Sequence, residues 1–418
     1  MGETLLNISE APTKFLGMQL SCSQSSKEKA KIVGDAILEV LQTLDSFALP
    51  AVEKVYLYKA FALPRFRWTL TVHEVLPTAL TRINRKAESF LKKWWLLPRS
   101  TSRDAFREVT GLQSLQDIFE LSQLTRFQLA RRTTDPAVKV SFSKHLAAPK
   151  SAWAAFRARA DVVASHSERE EEKTQLKRGQ ITALASKVSR LVVQGAWSRL
   201  KREEEADRLW RSMIWGMPSH ICRFATQAAL DILPTRANLA RWRAPVGAAC
   251  VCGLRDTLAH SLNGCELKLS RFKWRHDSIL VKIASCLISK GHNVQVDLPG
   301  FSYKLPPFLA DQPLRPDIII LTGSKIHLLE LTVPFEGNFE NAHSRKETKY
   351  SHLLGLAREN GFVPRLLCFE VGSRGLSSPS LIKLLREFNL GALKKEVLST
   401  ALRCSYVIWT TRFLPWEN

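Results

Sequence analysis

Residues 315–350, RPDIIILTGSKIHLLELTVPFEGNFENAHSRKETKY, bring two acids and two lysines together under tight geometric constraint. Residues 317–321 and 326–333 are short apolar runs rich in β-branched side chains, separated by Thr322-Gly323-Ser324-Lys325. This predicts a hairpin with a four-residue loop. If Leu321 pairs with Ile326, Asp317 stands opposite Glu330. Directly opposed residues have Cβ atoms about 4.5–5.5 Å apart, so two like charges there repel unless something positive lies between them. A hard divalent cation, Mg(II) or Mn(II), held by one or two carboxylates and a substrate phosphate, fits that role.

Beyond Pro334, residues 338–360 read as a helix in which Lys346, Lys349, Tyr350 and Leu353 fall at i, i+3, i+4 and i+7. They share one face. A lysine beside a phosphate can steady an attacking water or the charge developing on phosphorus. Spacing alone also fits a second reading, an acidic hairpin followed by a solvated basic helix.

Arg315-Pro316-Asp317, twelve residues, Glu330, then Lys346-x-x-Lys349-Tyr350 resembles the restriction-like endonuclease of site-specific non-LTR retrotransposons, a branch of the PD-(D/E)xK nucleases. In the wider superfamily the lysine stands two residues after the second acid, where this chain has Thr332. The retrotransposon branch takes its lysine from the following helix, so the resemblance carries the catalytic role to Asp317, Glu330, Lys346, Lys349 and Tyr350. It implies cleavage of double-stranded DNA and covers at least the last third of the chain.

The chain has 418 residues, 45% of them hydrophobic, enough for two to four domains. No apolar run reaches 18 residues, and no charged start followed by an apolar core opens the sequence. The expectation is an intracellular, nuclear protein without a membrane span or secretory signal. Lysine and arginine number 61 against 39 acids, giving +22. Such a surplus favours a polyanionic partner through counterion release.

The pattern from Lys27 through Leu129 predicts helices punctuated by Pro50, Pro64, Pro77 and Pro98. Residues 13–20 form a strand-like run that would need a sheet to join. Arginines and lysines interleave with aromatics, notably Arg65, Arg67, Lys92 and Lys93 beside Phe66, Trp68, Trp94 and Trp95. With Arg315, these are the candidate nucleic-acid contacts. The alternative is a bundle whose aromatics are core and whose cations are its wet face. In order, Phe15-Leu16-Gly17, Leu63-Pro64-Arg65-Phe66, Trp95-Leu96-Leu97-Pro98 and Gly111-Leu112 resemble the thumb of the same retrotransposon reverse transcriptase. That implies element RNA as a further partner. No Asp-Asp pair occurs in the sequence, so no polymerase activity is expected of this chain.

Residues 151–215 are strongly charged and read as extended helices forming a linker, with disorder across 165–179 an equal alternative. Cys250-Val251-Cys252-Gly253, six residues, His260, four residues, Cys265 then supplies four soft or borderline ligands within sixteen residues. They suit a closed structural Zn(II) site, although Cys-x-Cys bends the backbone more tightly than the usual Cys-x-x-Cys. A CCHC knuckle between thumb and endonuclease is what the resemblance implies.

Residues 269–290 predict a helix, with His276 or Asp277 in reach of the metal site as an accessory group, although Asp277 reads more readily as a solvated helix-end residue. A strand at 292–298, a loop at 300–313, the hairpin, a strand at 365–371, a helix at 381–388 and a last strand at 405–413 follow. The expected class is a multi-domain α/β protein. It comprises an all-α thumb-like bundle (1–150), the linker (151–215), a helical segment with the knuckle (216–268) and a PD-(D/E)xK-like mixed sheet flanked by helices (269–418). The function expected is metal-dependent DNA cleavage. The alternative is a nucleic-acid-binding remnant of a mobile element that keeps the fold without the chemistry. Oligomeric state is not legible in the sequence.

Overall fold

The computed structural model describes residues 25–73, 75–148, 165–200 and 203–416, together with the strands within 13–20 and residues 151, 153 and 156. The chain divides into two compact units, Met1–Leu191 and Val192–Asn418. Both are mostly helical, and the second holds a small mixed sheet.

In the first unit the run at 13–20 needs no outside sheet, because β1 (Thr13–Phe15) and β2 (Met18–Leu20) pair with each other antiparallel. Residues 16 and 17 of the Phe15-Leu16-Gly17 motif lie outside the described residues. Among the described residues eight α-helices follow: α1 (Ser26–Ser46), α2 (Ala51–Leu57), α3 (Leu63–Val72), α4 (Pro77–Trp94), α5 (Arg103–Thr110), α6 (Leu115–Arg132), α7 (Pro136–Ala147) and α8 (His166–Ser189). Their starts are written locally. Ser25 with Glu28, Ser114 with Asp117 and Ser165 with Glu168 each close a reciprocal cap on α1, α6 and α8, satisfying amide donors that a helix start otherwise leaves open. The charged α8, capped by Ser165, is a continuous helix across 166–179 and packs on α5 and α6. Gln180 donates to Glu120 at 2.9 Å and Gln128 to Glu172 at 2.6 Å. The stretch expected as a linker is therefore divided between the two units.

The second unit begins with α9 (Glu204–Trp215), α10 (Ser219–Ala229) and α11 (Arg236–Arg241). After the cysteine-rich loop come α12 (Leu269–Ser289), β3 (Asn293–Val296), α13 (Pro307–Ala310), β4 (Ile318–Thr322), β5 (Lys325–Thr332), α14 (Phe339–Glu359), β6 (Val363–Glu370), α15 (Pro379–Glu387) and α16 (Lys394–Thr410). The sheet order is β3-β4-β5-β6. The first three strands are antiparallel, and β6 runs parallel to β5 after the α14 crossover. One face buries Ile319, Ile326 and Leu328 against Tyr350, Leu353 and Ala357 of α14.

Three elements of the second unit differ from expectation, the first being the loop at 300–313, which holds the short helix α13. Thr322 pairs with Lys325, so the hairpin loop is the two residues Gly323-Ser324, and Gly323 takes φ +58°. The tight turn selects the residue that enters the left-handed region without strain. The strand expected at 405–413 is instead the end of α16. Val397, Leu398, Ala401, Leu402, Ser405, Ile408 and Trp409 are buried at helical spacing, and the helix packs on α12. Among the described residues no helix is long and apolar enough to cross a membrane.

Candidate active site and metal knuckle

The β4–β5 register pairs Leu321 with Ile326 and Ile318 with Leu329, which sets Asp317, one residue before β4, opposite Glu330. The two acids are joined as well as opposed. The Asp317 amide donates to Glu330 Oε2 at 3.3 Å, and the Leu331 amide donates to Asp317 Oδ2 at 2.7 Å. Glu330 is only 2% exposed. Burial and the neighbouring Asp317 charge hold its carboxyl above the usual range, because both disfavour a second negative charge.

α14 supplies the counter-charge. Lys346 donates to Glu330 Oε1, and Tyr350, buried, donates to the Arg315 carbonyl at 3.2 Å. Burial, then the Glu330 and Asp317 charges, raise the Tyr350 phenol well above its ordinary pKa, so it stays a neutral donor. Lys349 is exposed, its ammonium 5.1 Å from the Tyr350 ring centroid. The structure thus gathers Asp317, Glu330, Lys346 and Tyr350, with Lys349 at the rim. Arg315 turns outward, pairing with Asp297 at 2.7 Å and stacking over Tyr303.

His276 on α12 completes this group. Its Nε2 lies 3.2 Å from Asp317 Oδ2 and its Nδ1 3.0 Å from Asp277 Oδ1. Burial opposes a charged ring, but hydrogen bonds to Asp277 and Asp317 outweigh it and raise the pKa to about 9. Asp277 in turn accepts from Lys273 at 2.6 Å, so it is a paired residue and not simply a solvated one.

A second polar group on the same sheet face went unread in the sequence. His343 places Nδ1 2.9 Å from Glu370 and Nε2 3.3 Å from Glu347. His343 and Glu347, with Cys368, Ser380 and Lys383, line a cavity of about 170 Å³. Cys368 stands opposite Glu330 in the parallel ladder, and burial followed by the Glu330, Glu347 and Glu370 charges pushes its thiol up to about 12. The signal available was His343 one turn before Lys346.

In the cysteine-rich loop, one ligand atom from each of Cys250, Cys252, His260 and Cys265 lies within 4.8 Å of the others. The Cys250 and Cys265 sulfurs are 3.9 Å apart, and Cys252 Sγ is 3.3 Å from His260 Nε2. Tetrahedral zinc with Zn–S of about 2.3 Å sets ligand atoms about 3.8 Å apart, so the four residues fit such a metal. The short Cys-x-Cys spacing is accommodated by a tight turn. Cys250 N donates to the Leu254 carbonyl at 2.7 Å, Gly253 N donates back to Cys250, and Gly253 takes φ +88°. Around the ligands, buried Asp256 accepts from Ser261 and from the Arg236 amide, and Thr257 caps the amide of His260. Asn263, between the last two ligands, donates to the Val333 carbonyl at 2.6 Å, and Arg275 donates to the same oxygen. The loop is thereby tied to the end of β5.

The candidate nucleic-acid residues of the first unit separate. Arg65 and Arg67 are exposed on α3, near a Trp68 that is 40% exposed. Lys92 is committed to the Arg99 and Thr101 carbonyls, Lys93 pairs with Asp45, and Trp94 and Trp95 are core. No protein-family model matches the chain, and no curated protein matches it.

Proposed function

We propose that the chain is a metal-dependent endonuclease that hydrolyses a phosphodiester of double-stranded DNA, of the restriction-like kind that non-LTR retrotransposons carry. The observation that supports it most is the Asp317–Glu330 pair with Lys346 reaching in from the next helix. A helix, three antiparallel strands, a crossover helix and a parallel strand, with helices on a mixed sheet, support this reading, because the resemblance implies a core of that kind.

Two carboxylates held together at the end of a hairpin, one of them buried, are a donor set for Mg(II) or Mn(II). Such an ion, when bound, neutralises the phosphate and lowers the barrier to attack by water. Asp317 and Glu330 would hold it. Lys346 and Lys349 orient the nucleophile or offset charge on the scissile phosphate, and the neutral Tyr350 keeps the helix seated on the sheet by its bond to Arg315. Cys250, Cys252, His260 and Cys265 of the knuckle would hold Zn(II), whose role there would be structural. Exposed Arg65 and Arg67 are suited to phosphate contact. Double-stranded DNA is the substrate in this reading, element RNA a further ligand and the nucleus the site of action.

The closed Lys346–Glu330 pair also favours a second reading, a nucleic-acid-binding remnant in which that pair is merely structural. Purified protein and supercoiled plasmid with Mg(II) separate the two. The nuclease reading expects nicked or linear product that EDTA and Asp317→Ala each abolish while DNA binding persists. DNA bound by the unmutated chain without any cleavage supports the remnant.

A further inference from the structure

We infer that His276 is a positioning residue for the acid pair, aiming Asp317 so that one oxygen of its carboxylate stays open to a divalent cation; the inference rests on the nuclease reading and deepens it. Asp317 Oδ2 is engaged twice, by His276 at 3.2 Å and by the Leu331 amide at 2.7 Å. Among the described residues Oδ1 has no hydrogen-bond partner. With Oδ2 engaged from two directions, rotation of the carboxylate is restricted and Oδ1 is the oxygen left for a cation.

His276 is itself held. Its other nitrogen meets Asp277 Oδ1 at 3.0 Å, and Asp277 Oδ2 accepts from Lys273 one helical turn earlier. The chain Lys273–Asp277–His276–Asp317 therefore runs from the exposed side of α12 to the hairpin end, with each member oriented by the next. Groups that orient ligating side chains in this way account for about 10- to 100-fold of metal affinity or activity. Neighbouring elements are consistent with this. Arg275, the adjacent residue, is buried and bonds to Ser405 and to the Val333 carbonyl, so α12 is pinned beside β5 at this level and the imidazole cannot drift.

The test is Mn(II) binding to the zinc-loaded full-length chain, read by electron paramagnetic resonance, alongside plasmid cleavage. His276→Ala should weaken Mn(II) binding about 10- to 100-fold and raise the Mg(II) needed for cleavage in parallel, with affinity for DNA unchanged in the absence of divalent ion. His276→Gln keeps a donor for Asp317 without an imidazole and should recover most of the loss. Asp277→Asn, which keeps an acceptor for Nδ1, should fall between wild type and His276→Ala. Wild-type Mn(II) affinity in His276→Ala overturns this inference alone, and so does a Gln variant as damaged as the Ala variant, since that marks mere support of the fold. A wild-type chain that neither binds Mn(II) in an Asp317-dependent way nor cleaves overturns both this inference and the nuclease reading.

Discussion

Lys346 of α14 donates to Oε1 of Glu330 on β5, while Lys349, one turn later, lies against the Tyr350 ring and faces solvent. Two lysines three residues apart therefore have different physical situations. One neutralises a buried carboxylate; the other is a solvent-facing cation at the edge of the same site.

Removing them should have separable effects. Lys346→Ala leaves a buried acid without its partner, which costs about 1–3 kcal/mol, held to that range because Glu330 can take up a proton. The thermal midpoint should fall. Lys349→Ala should leave stability within about 0.5 kcal/mol yet lower single-turnover cleavage by about a hundredfold, the usual loss of one well-placed donor. Equal cleavage by Lys349→Ala and wild type would assign Lys349 to the solvated face.

In the proposed reading, Thr332, two residues after Glu330, stands where the wider nuclease superfamily carries its lysine. It stands opposite Glu370 in the β5–β6 ladder, and its hydroxyl is buried without a hydrogen-bond partner among the described residues. A lysine there would meet Glu330 on one side and Glu370 on the other, both 2% exposed. The Lys346→Ala, Lys349→Ala double variant should lose cleavage, and adding Thr332→Lys should restore part of it. No recovery, with the triple variant folded, would mean that Glu370 captures the new ammonium or that the helix lysines were never catalytic.

The register on which these substitutions depend is legible from local chemistry. Gly323 and the β-branched runs on either side of it fix which residues oppose, so the pairing of Asp317 with Glu330 follows from the sequence. α14 is legible because its apolar and basic residues keep helical spacing. Residues 405–413 mislead because Tyr406-Val407-Ile408-Trp409 has strand-forming composition, although burial from Val397 to Trp409 follows a helical period. His276 is legible only as a residue in reach of the metal site; its particular partner Asp317 and the partner of Glu370 are beyond local reading. They are 41 and 27 residues away in sequence, and only the packing of α12 and α14 on the sheet brings them together.

Zinc should be present at about one ion per chain, since structural sites in small modules bind with apparent energies of about 10–16 kcal/mol. His260→Ala should lose it. Because Asn263 lies inside the loop and holds the Val333 carbonyl, metal loss should also be felt at the end of β5. Amide exchange across residues 331–336 should accelerate in the metal-free protein while β4 and the middle of β5 stay protected. Unchanged exchange at 331–336 would show that the loop and strand are independent, and absence of zinc from the unmutated protein would show that the four ligands do not close a site.

The positive charge is shared between the two units: residues 1–191 carry 30 basic against 19 acidic residues, and residues 192–418 carry 31 against 20. Composition alone therefore does not place the DNA footprint in the helical unit, and a cut at residue 150 is the wrong way to ask. It would strip α8 from Glu120 and Gln128 of α6 and leave a helix with its partners gone. The informative fragment is 192–418, which keeps the sheet, α12, α14, α16 and the knuckle. It should fold cooperatively and retain its zinc. Each phosphate neutralised contributes about −0.9 to the slope of log affinity against log salt on duplex DNA. If exposed Arg65 and Arg67 engage the backbone, the fragment's slope should be shallower than that of the full chain by about one for every phosphate it no longer neutralises. Arg65→Ala, Arg67→Ala in the full chain should then reproduce about two of that difference. Equal slopes for fragment and full chain would place the whole footprint on the second unit. In that case the helices of the first unit serve some other contact.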